Sequence, residues 1–269
     1  MKQMIVAMNC PKGGVGKTTL SKELASTYAL TEINGKKPSV CVVDANIYFG
    51  DINSMLKLHP SKGMEQWADK IVEDNVAGSR FIYPFDIVDD YLIKHGSGMY
   101  ILSAPNTTDG AQKITYPVMN TIIENLKNYF DIIILDTGNN TNDCTISCFE
   151  QANKIMIVVT DETTSINCAI SLFSMFPNIG ISMDKIEIIV NKYPIEKSNR
   201  CFSIEEIEEV MGGIFATVSM DEKIPMINSS GIPAVMGKDT PFKKDIFKLA
   251  KKLVPEFSEK EFRKVNGGK

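Results

Sequence analysis

The stretch CPKGGVGKTTL, residues 10–20, directly follows the apolar run MIVAM at 4–8. An apolar strand that opens into a glycine loop and then a helical pattern points to a sheet whose edge holds phosphates. In such a loop, glycines let successive backbone N–H groups turn inward on the anion, and the following helix adds its positive N-terminus. Gly13, Gly14, Val15 and Gly16 supply the cradle, and Lys17 is placed to reach the β- and γ-phosphates. Thr18 is placed to ligate Mg2+ and Thr19 to meet the α-phosphate. The spacing G-x-x-x-x-G-K-[ST] asks for glycine where this chain has Pro11, so the loop is a variant of that pattern. ATP and Mg2+ are the expected ligands.

Short β-rich apolar runs recur at 4–8, 40–43, 100–102, 132–135, 155–159, 186–190 and 215–218. Most are nearly continuous in hydrophobicity, as strands covered on both faces must be. Helical patterns fall between them, at about 18–30, 119–129, 164–176, 204–211 and 242–254. The alternation predicts an α/β fold, a doubly wound, mostly parallel sheet with flanking helices, which with the glycine loop resembles a P-loop NTPase. Residues 61–98 interrupt it with short helices expected at 64–73 and 86–94, separated by Gly78 and Pro84, and read as an insertion over one edge. With no composition shift along its 269 residues, the chain reads as one domain, ending in a polar tail at about 258–269.

Lys+Arg 29 against Asp+Glu 33 gives a net charge of -4, which excludes a wholly basic nucleic-acid coat. The cysteines at 10, 41, 144, 148, 168 and 201 are scattered, several in apolar runs, and read as reduced packing thiols. Cys144 and Cys148 have the spacing of one helix face, but no histidine or second cysteine pair accompanies them, against a structural metal site. Neither a leader nor a run long enough to span a bilayer is present, so a cytoplasmic location is expected, peripheral to a membrane at most.

The loop's second lysine, Lys12, could be a solvated charge. KGGVGKTT, however, resembles the deviant Walker A signature of the ParA/MinD family, in which the first lysine crosses a dimer interface to the other subunit's phosphates. The resemblance implies an ATP sandwich homodimer, with Lys12 acting as an arginine finger does. IIILDTG places Asp136 at a strand end, in the Walker B position, to hold a Mg2+-bound water. VCVVD ends at Asp44 and is followed by ANIYFGD, which is similar to the family's Asp-x-Asp motif; the resemblance puts Asp44 near the metal and the water-activating position at Asn46. An amide cannot take a proton from water, so hydrolysis is expected to be slow or to use a substitute such as Asp51. Asn191, after IEIIV, and Pro225 and Met226, in KIPMINSSGIPAV, stand where relatives contact the adenine.

FGDINSMLKL at 49–58 and IVDDYLIKHGSGMYILSAP at 87–105 resemble the CpaE/TadZ branch, whose ATPases place Tad/Flp-type pilus machinery at the cell pole. His95, without a partnering carboxylate or serine motif, reads as a loop or structural histidine. That branch commonly carries a receiver-like domain before the ATPase, whereas this sequence opens on the P-loop strand; built-in targeting, a fragment, or a related conjugation or secretion machine all stay open. The resemblance implies an ATP-dependent switch with a protein partner in a pilus apparatus or polar hub. One alternative is ParA-like partitioning, with Lys238, Lys243, Lys244, Lys248, Lys251 and Lys252 on DNA phosphates. Yet Ile246, Leu249 and Leu253 give that segment a packing face that would leave its lysines in solvent. MinD-like membrane attachment is another, although FSEKEFRKV at 257–265 is short and partly acidic. A metabolic P-loop enzyme or iron–sulfur reductase comes last, because no cysteine pair is set to bridge a cluster.

Overall fold

The computed structural model describes residues 2–266. Its eight-stranded sheet contains β1 (Met4–Asn9), β2 (Val40–Ala45), β3 (Leu92–Lys94), β4 (Tyr100–Leu102), β5 (Ile132–Thr137), β6 (Lys154–Val159), β7 (Ile186–Tyr193) and β8 (Ala216–Ser219). They lie in the order β3-β4-β2-β5-β1-β6-β7-β8. Every pairing is parallel except β3 with β4. The strand alternation divides the core into two layers. Ile5 and Ala7 face one side, with Trp67, Ile122 and Phe149; Val6 and Met8 face the other, with Leu20, Tyr28 and Phe247. Helices cover both faces, so the runs carry no polar side, as expected of a doubly wound sheet.

Helix α1 (Lys17–Ala29) and, late in the chain, α11 (Pro241–Leu253) cover one face. The other is covered by α3 (Met64–Glu73), α6 (Tyr116–Lys127), α7 (Asp143–Gln151), α8 (Thr163–Met175) and α9 (Ile204–Met211). Shorter helices are α2 (Ile52–Leu56), α4 (Phe85–Asp89), α5 (Thr108–Gln112) and α10 (Ile224–Asn228). α7 is absent from the sequence-based helices because its hydrophobic signal is diluted by Thr145 and Ser147, both buried. Its start is fixed by Asn142, whose side chain accepts from Thr145 N at 2.9 Å. Cys144 and Cys148 do share its buried face. All six cysteines are free; Cys201 is exposed rather than a core thiol, and among the described residues no three histidine, cysteine or acidic side chains gather into a metal-binding group.

The helix expected at 86–94 is corrected. α4 stops at Asp89, and Leu92–Lys94 turns back as an edge strand antiparallel to β4, in register Leu92 with Leu102. HGSG at 95–98 makes the turn: His95 N donates to Met99 O at 2.9 Å, Gly98 N to His95 O at 2.8 Å, and Gly98 has φ 95°. Hydrogen bonds offered by the unpaired edge of β4 outweigh the helical periodicity of so short a segment. The 61–98 segment also reaches the core, where Trp67 is fully buried and stacks on Tyr91 with centroids 5.5 Å apart. The polar tail starts α12 (Glu259–Asn266), and 267–269 lie outside the described residues. Among the described residues no helix is long and apolar enough to cross a membrane. On α11, Ile246, Leu249 and Leu253 are buried as expected, but so is Lys243, whose ammonium donates to Gly237 O at 2.9 Å.

Candidate functional site

The glycine loop runs from the end of β1 to Gly16, which caps α1 in the left-handed region at φ 95°. A side chain at Gly16 would be strained there, and its Cβ would lie 2.4 Å from Asn191 Nδ2. Two residues at the end of β7 grip the loop: Asn191 Nδ2 donates to Val15 O at 2.8 Å, and Lys192 Nζ donates to Gly14 O at 2.7 Å. Asn191 thus lies beneath the loop as well as beside the cavity. Lys17 Nζ folds back onto Cys10 O at 3.2 Å and onto Asn139 Oδ1. Burial lowers the Lys17 pKa, opposed by the nearby Asp136 carboxylate. Lys17 therefore sits desolvated on exchangeable acceptors, where an incoming polyphosphate would restore its charge partner.

Two carboxylates converge because β2 and β5 pair in register, Asp44 opposite Asp136. Both are 1% exposed. Asp136 Oδ1 accepts from Ser21 Oγ at 2.8 Å, and Asp44 Oδ2 accepts from Ile52 N at 3.1 Å. Their remaining oxygens, Asp136 Oδ2 and Asp44 Oδ1, are buried without a partner. Burial raises the Asp136 carboxyl to about 6, against the hydroxyls of Thr18 and Ser21 and the Lys17 charge. Burial, with Asp136 beside it, raises Asp44 well above the usual carboxylate range. Orphaned oxygens on neighbouring acids beside the Thr18 hydroxyl are a hard oxygen set, and they fit a small divalent cation such as Mg2+.

The chain after β2 crosses directly over Asp44. A Cβ on Gly50 would come 2.6 Å from Asp44 Oδ2 and 2.4 Å from the Ala104 Cβ, so only glycine fits. Asn46 Nδ2 donates to Phe49 O at 2.6 Å, and Asp51 stands at the N-cap position of α2 with its side chain making no capping bond. Asn46 and Asp51 line one cavity of about 390 Å3 together with Gly14, Gly16, Lys17, Thr18, Thr19, Asn191 and Pro225. Asn139, Lys192, Ser219, Glu222 and Asn228 also line it. Sequence reasoning passed over these five; Asn139 follows the Asp136 strand end closely enough to have been suspected. Val15 is buried with its side chain in the core, leaving only its backbone to the loop. Met226, expected beside the base, is 69% exposed and does not line the cavity. Pro225 is the second residue of the short helix α10, and side chains that follow it leave on different sides of the turn.

Lys12 lies outside that cavity. Its ammonium pairs with Glu162 of the same chain and donates to Thr164 Oγ1 at 2.7 Å, at the start of α8. The paired side chains are 28% and 55% exposed, so the pair holds Lys12 only weakly, by about 0–1 kcal/mol.

A family model described as an AAA domain matches residues 3–188. The septum site-determining protein MinD of Thermotoga maritima is 25% identical over 254 residues, covering 93% of this chain and 87% of its own. Antiactivator FleN of Pseudomonas aeruginosa is 25% identical over 201 residues, 71% of this chain and 65% of its own. Among solved structures, a ParA family ATPase from Chlorobium tepidum superposes with TM-score 0.80 at 19% identity, over 92% of this chain and 98% of its own. MinD of Pyrococcus horikoshii, determined with Mg-ADP, gives 0.73 at 20% identity, over 93% and 96%. A glycine loop, a buried acid pair and a parallel sheet in these relations place the chain in the AAA-domain family, among the P-loop ATPases of the ParA/MinD superfamily.

Proposed function

We propose that the protein is an ATP-binding, slowly hydrolysing switch that forms a nucleotide-bridged homodimer and localises or assembles a Tad/Flp-type pilus or a related secretion or conjugation machine. One observation carries the nucleotide reading: Asp44 and Asp136, each with a buried unpartnered oxygen, stand on paired strand ends directly behind the cavity wall, Asp136 beside the hydroxyl of Thr18, which lines the cavity with Lys17. Mg2+, held by Thr18, Asp44 and Asp136, would neutralise phosphate charge. Loop N–H groups and Lys17 bind the phosphate tail. Thr19 meets the α-phosphate, while Asn191 and Pro225 border the base. Asn46 can orient a water without accepting its proton, and Asp51, on the same cavity wall, is the substitute base. Lys12 exchanges Glu162 for the phosphates of the second subunit.

The pilus assignment is supported by the FGDINSMLKL and HGSG segments, the first of which supplies the glycine crossing over Asp44. A second reading, MinD-like positioning, is favoured by the length of the match to Thermotoga MinD. A partner captured by the ATP-loaded dimer separates the two: a pilus-machine component supports the first, a division-site regulator the second. Calorimetry with Mg-ATP tests the core claim. Lys17→Ala is expected to abolish binding; binding at unaltered affinity would remove the nucleotide site from this cavity.

A further inference from the structure

Beneath the cavity, α1 carries an ion pair with no solvent contact: Lys22 Nζ and Glu23 Oε1 are 3.0 Å apart, both side chains 0% exposed. Glu23 is fully engaged, its two oxygens accepting from Ala234 N at 2.9 Å and Val235 N at 3.0 Å. Lys22 Nζ donates onward to Asn228 Oδ1 at 2.8 Å, and Asn228 Nδ2 donates to Thr19 Oγ1 at 3.0 Å. An ammonium has only hydrogens to offer, so the Asn228 amide cannot turn over without setting donor against donor beside a buried charge. Its NH2 group must therefore face Thr19. The Thr19 oxygen accepts, and its single hydrogen is left for the cavity that Thr19 and Asn228 both line.

We propose that Asn228 is a positioning residue: held by Lys22, it fixes the polarity of the Thr19 hydroxyl so that Thr19 donates to the nucleotide's phosphate tail. The proposal rests on the nucleotide reading above and adds a reason for a buried ion pair in the phosphate helix. Charge enters at Glu23, is passed by Lys22, and reaches the ligand as a hydrogen-bond direction rather than as a charge.

The test is Mg-ATP calorimetry on the full chain and a set of variants. Thr19→Val is expected to lower affinity roughly tenfold or more, the loss of a hydrogen bond to a charged group. Asn228→Asp is expected to match it, because a carboxylate only accepts and so draws the Thr19 hydrogen away from the ligand. Adding Thr19→Val to Asn228→Asp should then change affinity by less than about twofold, since the bond is already lost. A further full tenfold loss overturns the proposal. Should Asn228→Asp fail to fold, Asn228→Ala frees the hydroxyl to rotate, and Thr19→Val must weaken binding less in that background than in the unaltered chain; equal losses overturn the proposal. A purely structural role for Asn228 would lower the melting temperature without this coupling. If the unaltered chain takes up no Mg-ATP, the nucleotide reading fails and the relay with it. If it binds, Lys17→Ala does not, and the two losses simply add, the relay alone fails.

Discussion

At the residue scale, amide and acid chemistry separate binding from turnover. Asn46 lines the cavity where the family resemblance expects a carboxylate, and its amide nitrogen gives one hydrogen to the Phe49 carbonyl. Asn46→Asp is expected to raise ATP turnover by about tenfold to a hundredfold, as a positioned base typically contributes. Unchanged phosphate release would mean that the missing carboxylate is not what limits the reaction. His95 gives a pH dependence. Ser97 N donates to its Nδ1 at 3.1 Å, and the ring also bonds the Gly231 carbonyl, so the neutral ring carries its hydrogen on Nε2. Burial lowers its pKa, and the Lys22 charge acts the same way. Below about pH 6.5 the unfolded chain takes up the proton first, so His95 subtracts stability as pH falls from there towards its folded pKa. The raised carboxyls of Asp44 and Asp136 act in the opposite sense, stabilising the fold as they become protonated, so His95 is read by difference. Between pH 7.5 and 5.5, the chain should lose more unfolding free energy, or gain less, than His95→Gln does. Equal changes in urea titrations of the two would dispose of the idea.

At the element scale, the edge segment does more than decorate the sheet. α3 buries Met64, Trp67 and Ile71 completely, and the Trp67 Nε1 has no hydrogen-bond partner. Trp67→Ala should therefore destabilise by about 3–5 kcal/mol through the cavity it opens. Trp67→Phe should be much milder, because the smaller loss of volume is offset by removing an unsatisfied donor. Urea denaturation decides between them, and equal losses from both would mean that packing volume is not what the indole contributes. The same region shows why 86–94 misread as a helix. Val88 and Tyr91 are buried with helical spacing, yet Leu92–Lys94 finds backbone partners only on β4, and no local pattern announces a neighbour across a turn. α7 was hidden for the complementary reason, its buried face being built, apart from Phe149, from Cys, Thr and Ser.

For the whole molecule, the proposed homodimer turns on Lys12. Lys12 lies on the loop's outer side, held by one partly exposed carboxylate and one hydroxyl. Lys12→Ala should keep Mg-ATP binding by the monomer and weaken dimer formation with a nonhydrolysable analogue by about tenfold, read by size-exclusion with light scattering. Dimerisation at unaltered strength would remove the role in trans. The amino-acid sequence alone determined the parallel sheet, the phosphate loop and the two acidic strand ends, because strand burial, glycine spacing and the place of an acid after an apolar run are local properties. Tertiary structure decided what depends on residues far apart in the chain: the register that sets Asp44 against Asp136, the crossing at Gly50, the grip of Asn191 and Lys192 on the loop, and the line from Glu23 to Thr19. A side chain's hydrogen-bond partner is fixed by how the sheet and helices pack, and over separations of more than two hundred residues no sequence spacing encodes it.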